Sequence, residues 1–100
     1  MLTITTKKDN STFIVTLDGR LDSATAEQFE KDVNEHLDGV TELVIDCADL
    51  EYISSAGLRV FLTACKEISE RGYHEIRNCN ESVQGVFRIT KLNNILNVAQ

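Results

Sequence analysis

The chain has no proline, only five glycines among its 100 residues, and no apolar run approaching the length needed to cross a bilayer. It therefore lacks the composition of a linker or low-complexity segment, and it shows no internal repeat. Cysteine is scarce. Cys47, Cys65 and Cys79 are odd in number, widely spaced and form no C-x-x-C pair, and only His36 and His74 stand beside them as soft ligands. Neither a metal site nor a cofactor is expected. Basic residues are outnumbered 16 to 10, for a net charge of −6, which argues against nucleic acid as a partner. The acidic surplus suits a basic protein surface, or serves solubility alone. The start, Met1-Leu2-Thr3-Ile4-Thr5, lacks the basic flank and apolar core of a signal peptide, so cytoplasmic residence without membrane contact is expected. No G-x-x-x-x-G-K-[ST] loop and no nucleophile–base–acid set is visible, so an enzyme is not expected.

What is present, 42% hydrophobic and 26% charged residues, is the composition of one soluble globular domain over residues 1–100. Leu2-Thr3-Ile4-Thr5 and Phe13-Ile14-Val15-Thr16-Leu17-Asp18 alternate, with Asp9-Asn10-Ser11 between them, predicting an antiparallel hairpin that ends at Gly19. Ala26, Phe29, Val33 and Leu37 recur on one helical face. Thr25 and Gln28 have capping-box spacing, while Asp22 or Ser23 offers another cap. Leu43-Val44-Ile45 reads as a short buried strand. After a loop, a second helix is expected over about 56–71, with Val60, Phe61, Ala64, Cys65 and Ile68 inward. Tyr73-His74-Glu75-Ile76-Arg77 reads as a polar edge strand with His74 exposed. Asn80 caps a third helix bearing Val83, Val86, Phe87 and Thr90, and Ile95-Leu96-Asn97-Val98 either adds a last strand or docks as a tail. The order β-β-α-β-α-β-α, with two crossovers running the same way, predicts an α/β mixed sheet of four to five strands with helices packed mainly on one face.

The most specific segment opens at Asp49 and continues through Tyr52-Ile53-Ser54-Ser55-Ala56-Gly57-Leu58-Arg59, read as a loop that leads from the Leu43-Val44-Ile45 strand into the second helix. Two adjacent hydroxyls sit where unpaired backbone N–H groups and the positive end of the helix dipole meet. A phosphate is stabilised there. The plainer reading is that these serines only cap the helix. Gly57 has no Cβ to hold a partner's backbone away, Leu58 is a candidate apolar anchor, and Arg59 either contacts a partner or is simply solvated. Asp22 and Asp46 are candidate paired carboxylates near the turn, or ordinary cap and turn residues.

With that order in place, the chain resembles a STAS domain of the bacterial anti-sigma factor antagonist class. The resemblance spans nearly all of it. Gly19-Arg20-Leu21-Asp22 matches the family's Gly-x-Leu-Asp turn, and Leu43-Val44-Ile45-Asp46 matches its strand ending in aspartate. Aligned on Gly57 and Leu58, the family's phosphorylated serine falls on Ser55, with Ser54 the alternative acceptor. The aspartate that usually precedes that serine is Ser54 here, and Ala56 follows it. The resemblance implies a partner-binding surface containing Asp22, Ser54, Ser55, Gly57, Leu58 and Arg59. The implied partner is an anti-sigma factor with serine kinase activity, bound when Ser55 is unmodified and released on its phosphorylation, with a serine phosphatase resetting the switch. It also admits a second role, that of a non-phosphorylated STAS subunit of a lipid-transport or stress-sensing assembly.

Overall fold

The computed structural model describes residues 2–99. Strand β1 (Leu2–Asp9) and strand β2 (Thr12–Leu21) form an antiparallel hairpin in which Leu2 faces Gly19 and Asp9 faces Thr12. Helix α1 (Ser23–His36) crosses to strand β3 (Glu42–Ile53), which pairs parallel to β2. Helix α2 (Ser55–Ser69) crosses to strand β4 (Tyr73–Arg77), parallel to β3. Helix α3 (Glu81–Ile89) and a 3-10 turn, Leu92–Asn94, follow β4. The sheet runs β1-β2-β3-β4, a mixed four-stranded α/β sheet. None of the described helices is long and apolar enough to cross a membrane.

Alternation decides which sheet face is covered. Phe13, Val15, Leu17 and Leu21 of β2, Leu43, Ile45 and Cys47 of β3 and Ile76 of β4 are buried in one core with the inner faces of the helices. Phe61 of α2 joins the three helices. Its ring meets Phe29 of α1 edge-on at 5.6 Å and Phe87 of α3 at 6.0 Å, and all three rings are fully buried. Full burial of one such side chain is worth about 1.5–3 kcal/mol. All three cysteines are buried and unbridged, and burial pushes the Cys65 thiol up to about 12.

Three strand expectations are corrected. Gly19, at φ 115°, lies inside β2 and does not end it. The segment Asp49–Tyr52 is strand, since β3 runs for 12 residues and only stops at Ile53. The reason is two bulges. Thr16 pairs with Asp46 but Asp18 with Asp49, and Gly19 pairs with Leu50 but Arg20 with Tyr52, so β3 gains a residue at each step. The inward positions then fall at Cys47, Leu50 and Ile53, three apart, a spacing that hides the strand's period of two. Third, His74 is buried, at 8% exposure, because the residues after the 3-10 turn cover the outer edge of β4 through a bridge from Ile76 to Val98.

Candidate functional site

The parallel strands β2 and β3 end side by side, with Leu21 opposite Ile53. Each is followed at once by a helix cap, Asp22 for α1 and Ser54 for α2. The Ser54 N–H donates to the Leu21 carbonyl at 2.8 Å and ties the two starts together. Two positive dipole ends therefore lie adjacent at the carboxyl ends of parallel strands, where open α/β sheets place their sites.

Of the expected caps of α1, Asp22 is the one used. Its Oδ1 accepts the Thr25 N–H at 2.9 Å and its own N–H donates to Thr25 Oγ1 at 2.9 Å, while Gln28 is exposed and takes no part. The Thr25 backbone N–H, helped by the Thr25 hydroxyl, holds the Asp22 carboxyl below its ordinary pKa. Asp22 reaches the site half-buried and committed to its own helix.

The two serines are not equivalent. Ser54 is half-buried, and its Oγ accepts the Gly57 N–H at 3.2 Å, so it is the cap. Ser55 is the first residue of α2 and is exposed, and its hydroxyl has no hydrogen-bond partner among the described residues. The Ser55 and Ala56 N–H groups precede the first intrahelical bond, which runs from Leu58 N–H to the Ser54 carbonyl at 2.9 Å. Arg59 is exposed four residues beyond Ser55, which puts both side chains on one side of α2. It borders a shallow groove between α1 and α2 that Ser23, Glu27 and Glu30 line from the other side.

Gly57 and Leu58 are buried, which corrects their expected place on the accessible surface. A Cβ on Gly57 would lie 2.7 Å from Leu21 Cγ and 3.2 Å from Ile53 Cγ1. The close approach that glycine permits is thus to the end of β2 in the same chain, and Leu58, at 7% exposure, packs into the core. Their part in the site is to set where α2 begins. Gly57→Ala should accordingly cost about 1–3 kcal/mol of stability through overpacking. Urea denaturation would read this, and a change within about 0.5 kcal/mol would show that Leu21 can step aside.

Asp46 is not beside Asp22 or Ser55. Its Oδ1 accepts from Ala48 N–H at 3.0 Å and Asn78 Nδ2 at 3.1 Å, on the sheet face that the helices leave open. The extended strand between Asp46 and Ser54 separates them by roughly 20 Å. A feature missed from the sequence is Arg20, whose guanidinium stacks 4.3 Å from the Tyr52 ring centre at the same end of the sheet. The pairing of Arg20 with Tyr52 follows the second bulge, so counting along the strands could not reveal it.

Residues 3–100 match the family model described as the STAS domain. The chain belongs to the STAS domain family. It is 36% identical over 98 residues to BtrV of Bordetella bronchiseptica, a candidate anti-sigma factor antagonist, covering 96% of this chain and 84% of that one. Among solved structures, an anti-sigma factor antagonist from Mycobacterium paratuberculosis superposes with a TM-score of 0.88 at 18% identity, over 98% of this chain and 85% of that one. The fold is also that of the Bacillus cell fate determinant SpoIIAA in its phosphorylated form, with a TM-score of 0.75 at 20% identity, over 98% of this chain and 92% of that one. Bacterial regulators of the anti-sigma factor antagonist type are thus this STAS domain's relatives.

Proposed function

We propose that this STAS domain is an anti-sigma factor antagonist that binds an anti-sigma factor with serine kinase activity and is released when that kinase phosphorylates Ser55. A serine phosphatase restores the binding form. The chain acts as the kinase's substrate and performs no catalysis. The observation that carries the reading is the inequality of the two serines. Ser54 spends its hydroxyl on the Gly57 N–H, whereas Ser55 presents a free, exposed hydroxyl at the start of α2. The 36% identity to BtrV and the existence of SpoIIAA in a phosphorylated form support the same assignment.

A phosphate on Ser55 would add about −1.5 to −2 charges beside the unpaired N–H groups of Ser55 and Ala56, which favour an anion. The fold would therefore persist. A docked partner covering Ser55 would have to desolvate that charge on a surface already carrying Glu27, Glu30 and Glu51, and binding would fail. The surface offered to the partner comprises Ser55 and Arg59, with Asp22 and Ser54 at its margin, while Gly57 and Leu58 support it from beneath.

Incubation with the cognate kinase and ATP, followed by intact-mass analysis, tests the assignment. Ser55→Ala should take up no phosphate, and Ser54→Ala should retain some. Incorporation into Ser55→Ala at the wild-type rate would place the acceptor elsewhere. By its resemblance to the family pattern, Ser54 takes the place of the usual aspartate, and this favours the second reading, a non-phosphorylated subunit of a lipid-transport or stress-sensing assembly. Failure of the wild-type chain to accept phosphate would select it.

A further inference from the structure

The strongest unassigned arrangement lies far from Ser55, on the outer edge of β4. His74 is buried between the end of α2 and the segment 96–99. Its Nε2 lies 2.9 Å from the backbone N–H of Asn97 and its Nδ1 lies 2.8 Å from Ser69 Oγ. A backbone N–H can only donate, so Nε2 must be the bare acceptor nitrogen. The ring proton then sits on Nδ1 and is donated to the Ser69 hydroxyl. The same segment is held by the Ile76 N–H donating to the Asn97 carbonyl at 2.9 Å and the Ala99 N–H donating to the Ile76 carbonyl at 2.8 Å. Asn97 Nδ2 also donates to the His74 carbonyl at 3.0 Å. Leu96, at 3% exposure, is its apolar anchor.

We infer that His74 is a proton-operated latch: the neutral imidazole holds residues 96–99 on the edge of β4, and protonation at Nε2 releases them. A proton on Nε2 turns the only acceptor for the Asn97 N–H into a second donor pointing at it. The two N–H groups repel, and the Asn97 N–H loses its partner where the His74 ring keeps it partly shielded from water. Among the described residues, no neighbouring charge offsets this. On β4, Glu75 and Arg77 point to the opposite face, where Glu75 is paired with Arg77 at 2.8 Å and with the Tyr73 hydroxyl at 2.8 Å. From α2 the ring meets Ser69, and from β3 its register partner is Leu43. Beyond Ser69, Glu70 is exposed, and the Arg71 guanidinium is occupied by the carbonyls of Val40 and Leu37 at 2.7 and 2.6 Å.

Burial accordingly holds the ring's pKa below its ordinary value. A histidine whose folded pKa is depressed binds more protons when freed. The latch is therefore fully engaged above the free histidine pKa of about 6.5, and it weakens as pH falls from there toward the lower folded value. Opening would uncover Leu96 and leave the Ile76 N–H and carbonyl bare, turning a covered edge of the sheet into one able to pair with another strand.

Two NMR measurements on the intact chain test this. Long-range nitrogen–proton correlation at pH 7.5 should show His74 protonated at Nδ1 and bare at Nε2. Hydrogen-exchange protection of the Ile76 and Ala99 amides, corrected for intrinsic rates, should fall severalfold to about tenfold between pH 7.5 and pH 5.5, while that of Ile45 in the central strand holds. In His74→Gln the pH dependence at Ile76 and Ala99 should vanish. A proton on Nε2 at pH 7.5, a wild-type loss of less than about twofold, or the same pH dependence in His74→Gln would each overturn the latch. The wild-type measurements decide the matter even if the variant folds poorly.

Discussion

Phe61→Ala should be among the most damaging single substitutions in this domain. The ring is fully buried and touches Phe29 of α1 and Phe87 of α3, so its loss opens a void at the junction of three helices. Removing such a side chain costs about 3–5 kcal/mol, the lost transfer energy plus the unfilled cavity. A domain of this size holds only about 5–15 kcal/mol in total. At about 4–8 °C per kcal/mol, the thermal midpoint should fall by at least about 12 °C. Ile89→Ala is the matched control. Ile89 lies on α3 but is 83% exposed, and its loss should stay within about 0.5 kcal/mol. Thermal and urea denaturation of the two variants would read both. A loss of less than about 1 kcal/mol for Phe61→Ala would mean that the helices do not depend on that ring to pack together.

The helices were legible because each carries its apolar residues at helical spacing and its cap at the front. Phe29 and Val33 of α1, Phe61, Ala64, Cys65 and Ile68 of α2, and Val83 and Phe87 of α3 are all buried as their spacing required. Asp22, Ser54 and Asn80 each accept a backbone N–H from the first turn of the helix they begin. The sheet was less legible, for a local reason. The bulges in β3 break the alternation that would have announced Asp49–Tyr52 as strand, and they hide the Arg20–Tyr52 stack along with it.

Burial of single polar or small residues was the other blind spot. His74 sits in a strand that reads as polar, and it is buried by residues more than 20 positions away. Gly57 and Leu58 follow two serines and look accessible, but the return of β2 beside β3 places Leu21 directly over Gly57. Both are effects of tertiary contact that no local pattern carries. The turn itself could be read from its residue types. The division of labour between its serines could not, since either hydroxyl satisfies a cap and only the register of α2 decides that Ser54 does.

That division makes Ser55→Asp the sharpest functional test. The substitution places a carboxylate where the unmodified protein has an exposed neutral hydroxyl. Locally the change is tolerated, because the free N–H groups at the start of α2 and the helix dipole favour an anion. The thermal midpoint should therefore stay within a few degrees of wild type. Against a partner that covers Ser55, the carboxylate must be desolvated without a matched cation. Arg59, the nearest basic residue along α2, would itself be engaged by the partner. The cost should be about 1–3 kcal/mol, which converts to a loss of affinity of roughly fivefold to more than a hundredfold. A carboxylate carries less charge than a phosphate, so the phosphorylated chain should bind more weakly still. Titration calorimetry of wild type, Ser55→Asp and the phosphorylated chain against the cognate anti-sigma factor orders the three. Equal affinity for all of them would sink release by charge and leave the constitutive-subunit role standing. A variant that loses both binding and its thermal midpoint would instead show that Ser55 supports the start of α2 in a way its exposed position does not suggest.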